Sequence, residues 1–321
     1  MTEPRQVLPG TTYVLVRRCA GRKRLLLPGR GPRRGPRRPD GRGLWLYSLG
    51  LAMQRHGVRV HALCVLGNQH LLVLSDPLGE LSAFARDFHG SVARGFNRLH
   101  RRAEHLWGPG SFSAMPVPAG DGEAMLGAMV RVIVAPVEAG LVEYPWQWPG
   151  LCTRPEDVGC AYEPRRPSIF FRDPIHQAPR WGHHPTDLPD QVRIPITRPP
   201  QLAHLTDAAF RQMLKERVEA ALRRIHAERR AKGLGYVGAR AIREEDPHTP
   251  PPGRKPPREL RRNRWKERER RATSEEFLRR HREARLAFLA GDREAVFPAG
   301  TWKAVRVYGA RVEGPPDASA A

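Results

Sequence analysis

Val58-Arg59-Val60-His61-Ala62-Leu63-Cys64-Val65-Leu66, then Gly67-Asn68, then Gln69-His70-Leu71-Leu72-Val73-Leu74-Ser75, are two apolar runs meeting at a pair of small turn-forming residues. Aliphatic and β-branched runs of this length favour extended chain, and Gly-Asn suits a tight antiparallel connection, so the stretch predicts a β-hairpin. Upstream, Leu44 to His56 carries Leu44, Trp45, Leu49, Leu51 and Ala52 on a helical face and stops at Gly57. Before it, Thr11 to Arg17 shows the Tyr13, Leu15 alternation of a half-buried strand. Downstream, Leu81 to Leu99 sets Phe84, Phe88, Val92 and Phe96 at four-residue intervals, the spacing of one helix face. Phe112 to Val117 reads as another strand. Asp121 to Val134 reads as a third helix with Leu126, Met129, Val130 and Ile133 inward, closed by Pro136 and then Gly140.

The order β-α-β-β-α-β-α is that of an α+β fold, a ferredoxin-like split β-α-β sandwich. After Trp148 the chain turns Pro-rich and weakly periodic. Its 321 residues therefore divide into a first domain over residues 1–152, a Pro-rich irregular connector over 153–200 and a basic, mostly helical region over 201–321. In the last, Gln201 to Lys232 carries a helical stripe of Leu202, Leu205, Phe210, Met213, Leu214, Val218, Leu222 and Ile225. A Pro-rich linker, Pro247 to Pro257, leads to a second helical segment, Arg254 to Arg285, with fourteen basic and six acidic residues. Its densest part, Arg261, Arg262, Arg264, Lys266, Arg268, Arg270 and Arg271, surrounds Trp265. Such a run reads as a solvated helix face or as a grip on a phosphate backbone.

Lys and Arg total 55 against 33 Asp and Glu, a formal charge of +22, which points to a polyanion as partner. Only six of those cations are Lys, and 30 Gly and 32 Pro accompany them, so a G- and C-rich coding bias is an alternative source of part of the excess. Gly21 to Gly43 carries nine basic residues against one Asp and reads as a mobile basic loop. The four cysteines contain no C-x-x-C pair, which gives neither a zinc site nor a disulfide framework. No apolar run approaches the roughly 20 residues of a membrane span, so no membrane partner is expected. The start, MTEPRQVLPG, has no secretory character, and a cytoplasmic location is expected.

Further motifs occur in order from Pro4 to Leu151. They are Pro4-Arg5, Pro9-Gly10-Thr11-Thr12-Tyr13, His61 to Asn68, Phe96-Asn97-Arg98, Leu106-Trp107-Gly108, Ala135 to Val142, and Trp148-Pro149-Gly150-Leu151. On these residues the chain resembles the REP-associated tyrosine transposases, single-strand HUH transposases of small insertion sequences. Phe297-Pro298-Ala299-Gly300-Thr301 resembles an extension carried by some members. The resemblance implies an HUH domain that binds DNA hairpins as a dimer and cuts one strand with a tyrosine, leaving a 5′-phosphotyrosine link. Mg or Mn would polarise the scissile phosphate. The family pattern is Asn-His-x-His on the second hairpin strand and, on a helix, Tyr followed four residues later by Asn or Gln.

Laid on this sequence without gaps, that pattern keeps Asn68 but places Gln69 and Leu71 at the two His positions, Arg131 at the Tyr position and Ala135 at the Asn position. His70 falls between the ligand positions and must face the other side of the strand. Tyr13 and Tyr47 belong to other elements, and Tyr144 lies beyond Pro136 and Gly140. A guanidinium cannot attack phosphorus, and a Leu side chain offers a metal no lone pair. The expectation is a transposase-like protein with a degenerate active site, no catalytic residue, no metal ligand and no cofactor. It would bind hairpin or single-stranded DNA without cutting it.

The expected DNA contacts are Arg22, Lys23, Arg24, Arg33, Arg34, Arg37 and Arg38 of the loop, with Gln69, Arg98, Arg131, Arg261, Arg262, Arg264 and Lys266. Arg131 reads equally as a tolerated replacement on a solvated face, Gln69 as a plain strand residue, and Asn97-Arg98 and Trp107 as packing residues. His183-His184 reads as loop. Two other classes remain open: an active or residual nuclease using His61 and His70, and an RNA-binding or interaction module.

Overall fold

The computed structural model describes residues 4–27, 41–168, 188–250, 268, 271 and 273–314. Four strands, β1 (Thr11–Arg18), β2 (Arg59–Val65), β3 (Gln69–Asp76) and β4 (Ser113–Pro116), form one antiparallel sheet in the order β2-β3-β1-β4. Since β1 and β2 are both antiparallel to β3, they run in the same direction with β3 between them. The β2-β3 hairpin closes at Gly67-Asn68, where the Leu66 N–H donates to the Gln69 carbonyl at 2.8 Å.

Helices α1 (Gly41–His56) and α2 (Leu81–Leu99) cover one face of the sheet. Gly57, at φ +67°, ends α1 in the left-handed region that favours glycine. The Asp76 carboxylate starts α2 by accepting the Glu80 and Leu81 N–H groups at 2.9 and 2.7 Å. The two helices approach closely at Gly95, where an added Cβ would lie 2.6 Å from Leu44 Cδ1. Trp45, Phe84, Phe88 and Phe96 fill the layer between helices and sheet.

Helix α3 (Gly122–Glu138) packs on the opposite face, and α4 (Asp207–Ala231) packs on α3 through Phe210, Leu214, Val218, Leu222 and Ile225. Two boundaries differ from expectation. α3 runs through Pro136 instead of closing there, because a proline in the last turn removes one N–H only; the Ala139 N–H still reaches the Ala135 carbonyl at 3.0 Å, and Gly140 at φ +69° ends the run. α4 begins at Asp207 instead of Gln201, because Pro199 and Pro200 hold a short 3-10 turn and the Thr206 side chain then caps the helix at the Ala209 N–H, 3.2 Å.

The segment after Trp148 lies along the outer edge of β2. The Val65 N–H donates to the Leu151 carbonyl and the Thr153 N–H to the Leu63 carbonyl, both at 2.8 Å, while the Thr197 N–H reaches the Val60 carbonyl at 3.0 Å. Strands β5 (Ala161–Tyr162) and β6 (Ile194–Pro195) pair beside it, and a short α5 (Ala239–Glu244) follows α4. One continuous core extends from Val7 to Ile242. A second, small core of Ala284, Phe297 and Ala310 belongs to α6 (Glu275–Leu289), β7 (Val296–Phe297), α7 (Lys303–Tyr308) and β8 (Arg311–Val312). Among the described residues no helix is long and apolar enough to cross a membrane.

Candidate nucleic-acid interface

β3 pairs with β1 without interruption, so its side chains alternate strictly: His70, Leu72 and Leu74 face α1 and α2, and Gln69, Leu71, Val73 and Ser75 face α3. His70 is fully buried. Its ring packs edge-on against Trp45, Phe88 and Trp107, and its Nε2 lies 3.0 Å from His89 Nε2, so one imidazole donates and the other accepts. Burial pushes the His70 pKa down to about 3, and nearby Arg17 adds to the effect. His70 is a neutral core residue.

Directly opposite residues of an antiparallel pair share a face. Arg17 therefore stands with His70, and Arg18 stands with Gln69. The Arg18 Nε–H donates to Gln69 Oε1 at 3.0 Å, and burial lowers the pKa of this half-buried guanidinium. Leu71, one alternation further in, is buried between Val16 and Cys64 as cross-strand neighbours. The two positions where the family resemblance sets imidazoles thus hold an amide bonded to a cation and a hydrocarbon. Around the strand end, the Arg17 guanidinium carbon lies 5.3 Å from the Trp107 ring centre and 5.9 Å from that of Phe112, while Arg5 stacks on Phe112 at 4.6 Å. Burial first, and Arg5 second, push the Arg17 pKa down to about 10, and the buried Arg17 Nε has no hydrogen-bond partner among the described residues.

On α3, Arg131 is half-buried with its Nε–H directed at the Gly127 carbonyl, 3.3 Å away, and Ala135 is buried. Burial lowers the Arg131 pKa; Arg268 lowers it further, and Glu138 opposes. Arg268 is thus felt at Arg131, the position the resemblance gives to the nucleophile. Arg22 is exposed beside the sheet end, and Arg98 is exposed in the last turn of α2. Lys23 and Arg24 are engaged in ion pairs, with Glu104 at 3.4 Å and with Glu245. Asn97 and Trp107 are packing residues: the Asn97 amide donates to the Glu104 carbonyl at 2.7 Å and the Trp107 indole to the His89 carbonyl at 2.9 Å. Arg33, Arg34, Arg37, Arg38, His183, His184, Arg261, Arg262, Arg264, Trp265 and Lys266 lie outside the described residues.

The arrangement that most resembles a catalytic dyad is His61 with Ser75. The His61 Nδ1–H donates to the Thr197 carbonyl at 2.9 Å, so Nε2 accepts from the Ser75 hydroxyl at 2.8 Å, and Thr12 continues the chain to Ser75 at 2.7 Å. All three side chains are buried, which shields the hydroxyl from any substrate. Tyr13, with its hydroxyl accepting from the Leu8 N–H at 3.3 Å, is buried and its pKa is pushed up to about 12. Arg17 and Arg18 escape the sequence reading of the site because their meaning comes from strand register, which no local motif records, and Arg5, although part of the Pro4-Arg5 motif, joins them only by stacking on Phe112.

No family model matches the chain, and no curated protein matches it. A solved structure of a transposase is similar in part. It is described as a REP-associated tyrosine transposase bound to a REP hairpin, and the match covers 49% of this chain and 85% of that chain, with 16% identity and a TM-score of 0.38.

Proposed function

We propose that the protein is a DNA-binding member of the single-strand transposase type, built on a ferredoxin-like split β-α-β domain, that holds hairpin or single-stranded DNA without cutting it. The observation that carries this reading is the Arg18–Gln69 pair with Leu71 behind it. A divalent cation does not fit these residues. Leu71 and Ala135 have no lone pair to give, and the Gln69 oxygen already accepts from a cation. At about 4 Å and an effective dielectric constant near 20, a unit charge and a doubly charged ion of like sign repel by roughly 8 kcal/mol. The same guanidinium attracts a phosphate, whose oxygens match its planar fork. Arg17, Arg5 and exposed Arg22 extend this cationic end of the sheet, and Arg131 with Arg268 extends it across α3.

The test is to incubate the protein with an end-labelled stem-loop, with and without Mg²⁺ or Mn²⁺, and to read retention on a native gel and scission on a denaturing one. Retention with neither scission nor a covalent adduct is expected. A metal-dependent cut with an adduct overturns the inactive-site reading, and absence of retention at low salt overturns the binding reading. Equal retention of an RNA stem-loop would move the ligand class to RNA. A dimer, the family habit, is read from light scattering of the same sample.

A further inference from the structure

We propose that Cys64 and Cys152 are a modification site, closing a reversible disulfide that locks the segment after Trp148 onto the sheet edge. All four cysteines are free thiols in this structure. Cys64, buried on β2, faces half-buried Cys152 across an isolated antiparallel bridge. The two bonds that flank this pair, Val65 N–H to the Leu151 carbonyl and Thr153 N–H to the Leu63 carbonyl, belong to the neighbouring residues. Cys64 and Cys152 are therefore a non-hydrogen-bonded pair, the register in which Cα atoms lie about 4.5 Å apart with side chains on one face. Disulfides span Cα separations of roughly 4.4 to 6.8 Å, so the bond needs no rearrangement of the ladder. The thiols already interact: burial and the neighbouring Cys152 thiol both hold the Cys64 proton on. Cys19 is buried and bridged to Trp107, and Cys160 is exposed and directed at the Glu156 carbonyl at 3.7 Å; neither faces a second cysteine.

The oxidant is a low-molecular-weight disulfide of the glutathione class. The Cys152 thiolate, the more accessible of the two, attacks one of its sulfurs, forming a mixed disulfide and releasing one small thiolate, which takes up a proton. Cys64 then gives its proton to solvent and attacks the Cys152 sulfur, expelling the second small thiol. Two protein thiols are oxidised and one small disulfide is reduced to two thiols. Oxidation also removes the Cys152 S–H from the Ile133 carbonyl of α3, 3.3 Å away, on the helix that carries Arg131 and Ala135. The redox state of the pair is thereby felt at the face proposed to meet DNA, although the bond itself does not depend on that proposal.

The test uses the full chain, equilibrated with glutathione disulfide or with dithiothreitol, alkylated, digested without reduction and weighed. A linked Cys64–Cys152 peptide is expected in the oxidised sample and absent after dithiothreitol, with a melting temperature higher by roughly 10 °C when the bridge is closed, as a long closed loop implies. The C19S/C160S double variant should keep the link, which guards against a folding failure of C64S or C152S. Full alkylation of Cys64 and Cys152 after oxidation overturns the proposal. So does arrest at a mixed disulfide on Cys152, or a link through Cys19 or Cys160.

Discussion

Acidification should unfold this protein before most of its carboxylates titrate, through three buried imidazoles. Burial pushes His70 down to about 3, with Arg17 contributing, and His61 down to about 4, where Arg59 contributes and the Thr197 carbonyl opposes. Burial, then His70 and Arg17, hold His89 well below its ordinary value. Unfolded, each would titrate near 6.5. The unfolded chain therefore binds protons that the folded chain refuses, and stability rises with pH in that interval. The contribution is complete above about pH 6.5 and is lost as pH falls towards the folded values. At about pH 5, some 1.5 pH units below the unfolded value, His70 and His61 each cost about 2 kcal/mol, together about 4 kcal/mol, and His89 adds in the same direction. That is of the order of a whole domain's stability, roughly 5–15 kcal/mol. Urea midpoints at constant ionic strength from about pH 7.5 to pH 5 should fall steeply, and unfolding near pH 5.5 should take up close to three protons from these groups. In H70F/H89F, whose rings would sit among Trp45, Phe88 and Trp107, two of the three uptakes should disappear. A flat midpoint over this range, or an unchanged proton uptake in the double variant, would refute the reasoning.

Two further outcomes concern the interface and the frame that holds it. Arg18→Ala should weaken stem-loop retention about tenfold and lower the salt slope by roughly 0.7–0.9 as one phosphate contact is lost; an unchanged slope in a titration against NaCl would remove Arg18 from the interface. Gly95→Val places a Cβ 2.6 Å from Leu44 Cδ1 and should cost about 1–3 kcal/mol by separating α1 from α2, read as a lower urea midpoint, whereas Gly127→Ala, with nothing within 4 Å of its Cβ, should not.

The hairpin, α1 and α2 were legible because their evidence is local. Alternation, four-residue intervals and Gly57 each state a conformation within a few residues. The interior Pro136 misled because a proline rule assumes loss of a central bond, and here the helix had one turn left to make. The strap along β2 left no trace in sequence, since Leu151 to Thr153 docks by main-chain bonds that any non-proline residue can supply. The site was half legible. Asn68, Gln69, Leu71, Arg131 and Ala135 could be placed by counting along motifs, but the meeting of Arg18 with Gln69, and of His70 with His89, depends on how β1 and α2 lie against β3. Those are relations between segments 51 and 19 residues apart.

The count of 55 Lys and Arg does not by itself locate an interface, because many of these cations are locally balanced by the 33 Asp and Glu. Lys23 has Glu104, Arg217 has Glu123, and Arg279 has both Glu276 and Glu283. Cations in such pairs would have to exchange one anion for another to bind a phosphate, with little net gain at an exposed surface. The informative places are those where folding puts like charges together. Arg17 feels Arg5, and Arg131 feels Arg268 more strongly than it feels Glu138. Arg5 and Arg17 are both half-buried beside the Phe112 ring, and a phosphate between two such guanidiniums would be attracted by both. On the proposed function, a phosphate backbone would meet the protein at the strand end that carries Arg17 and Arg18 and at the α3 face that carries Arg131. Gln69, which Arg18 faces across the strands, and Arg131 itself stand where the resemblance sets a metal ligand and the nucleophile.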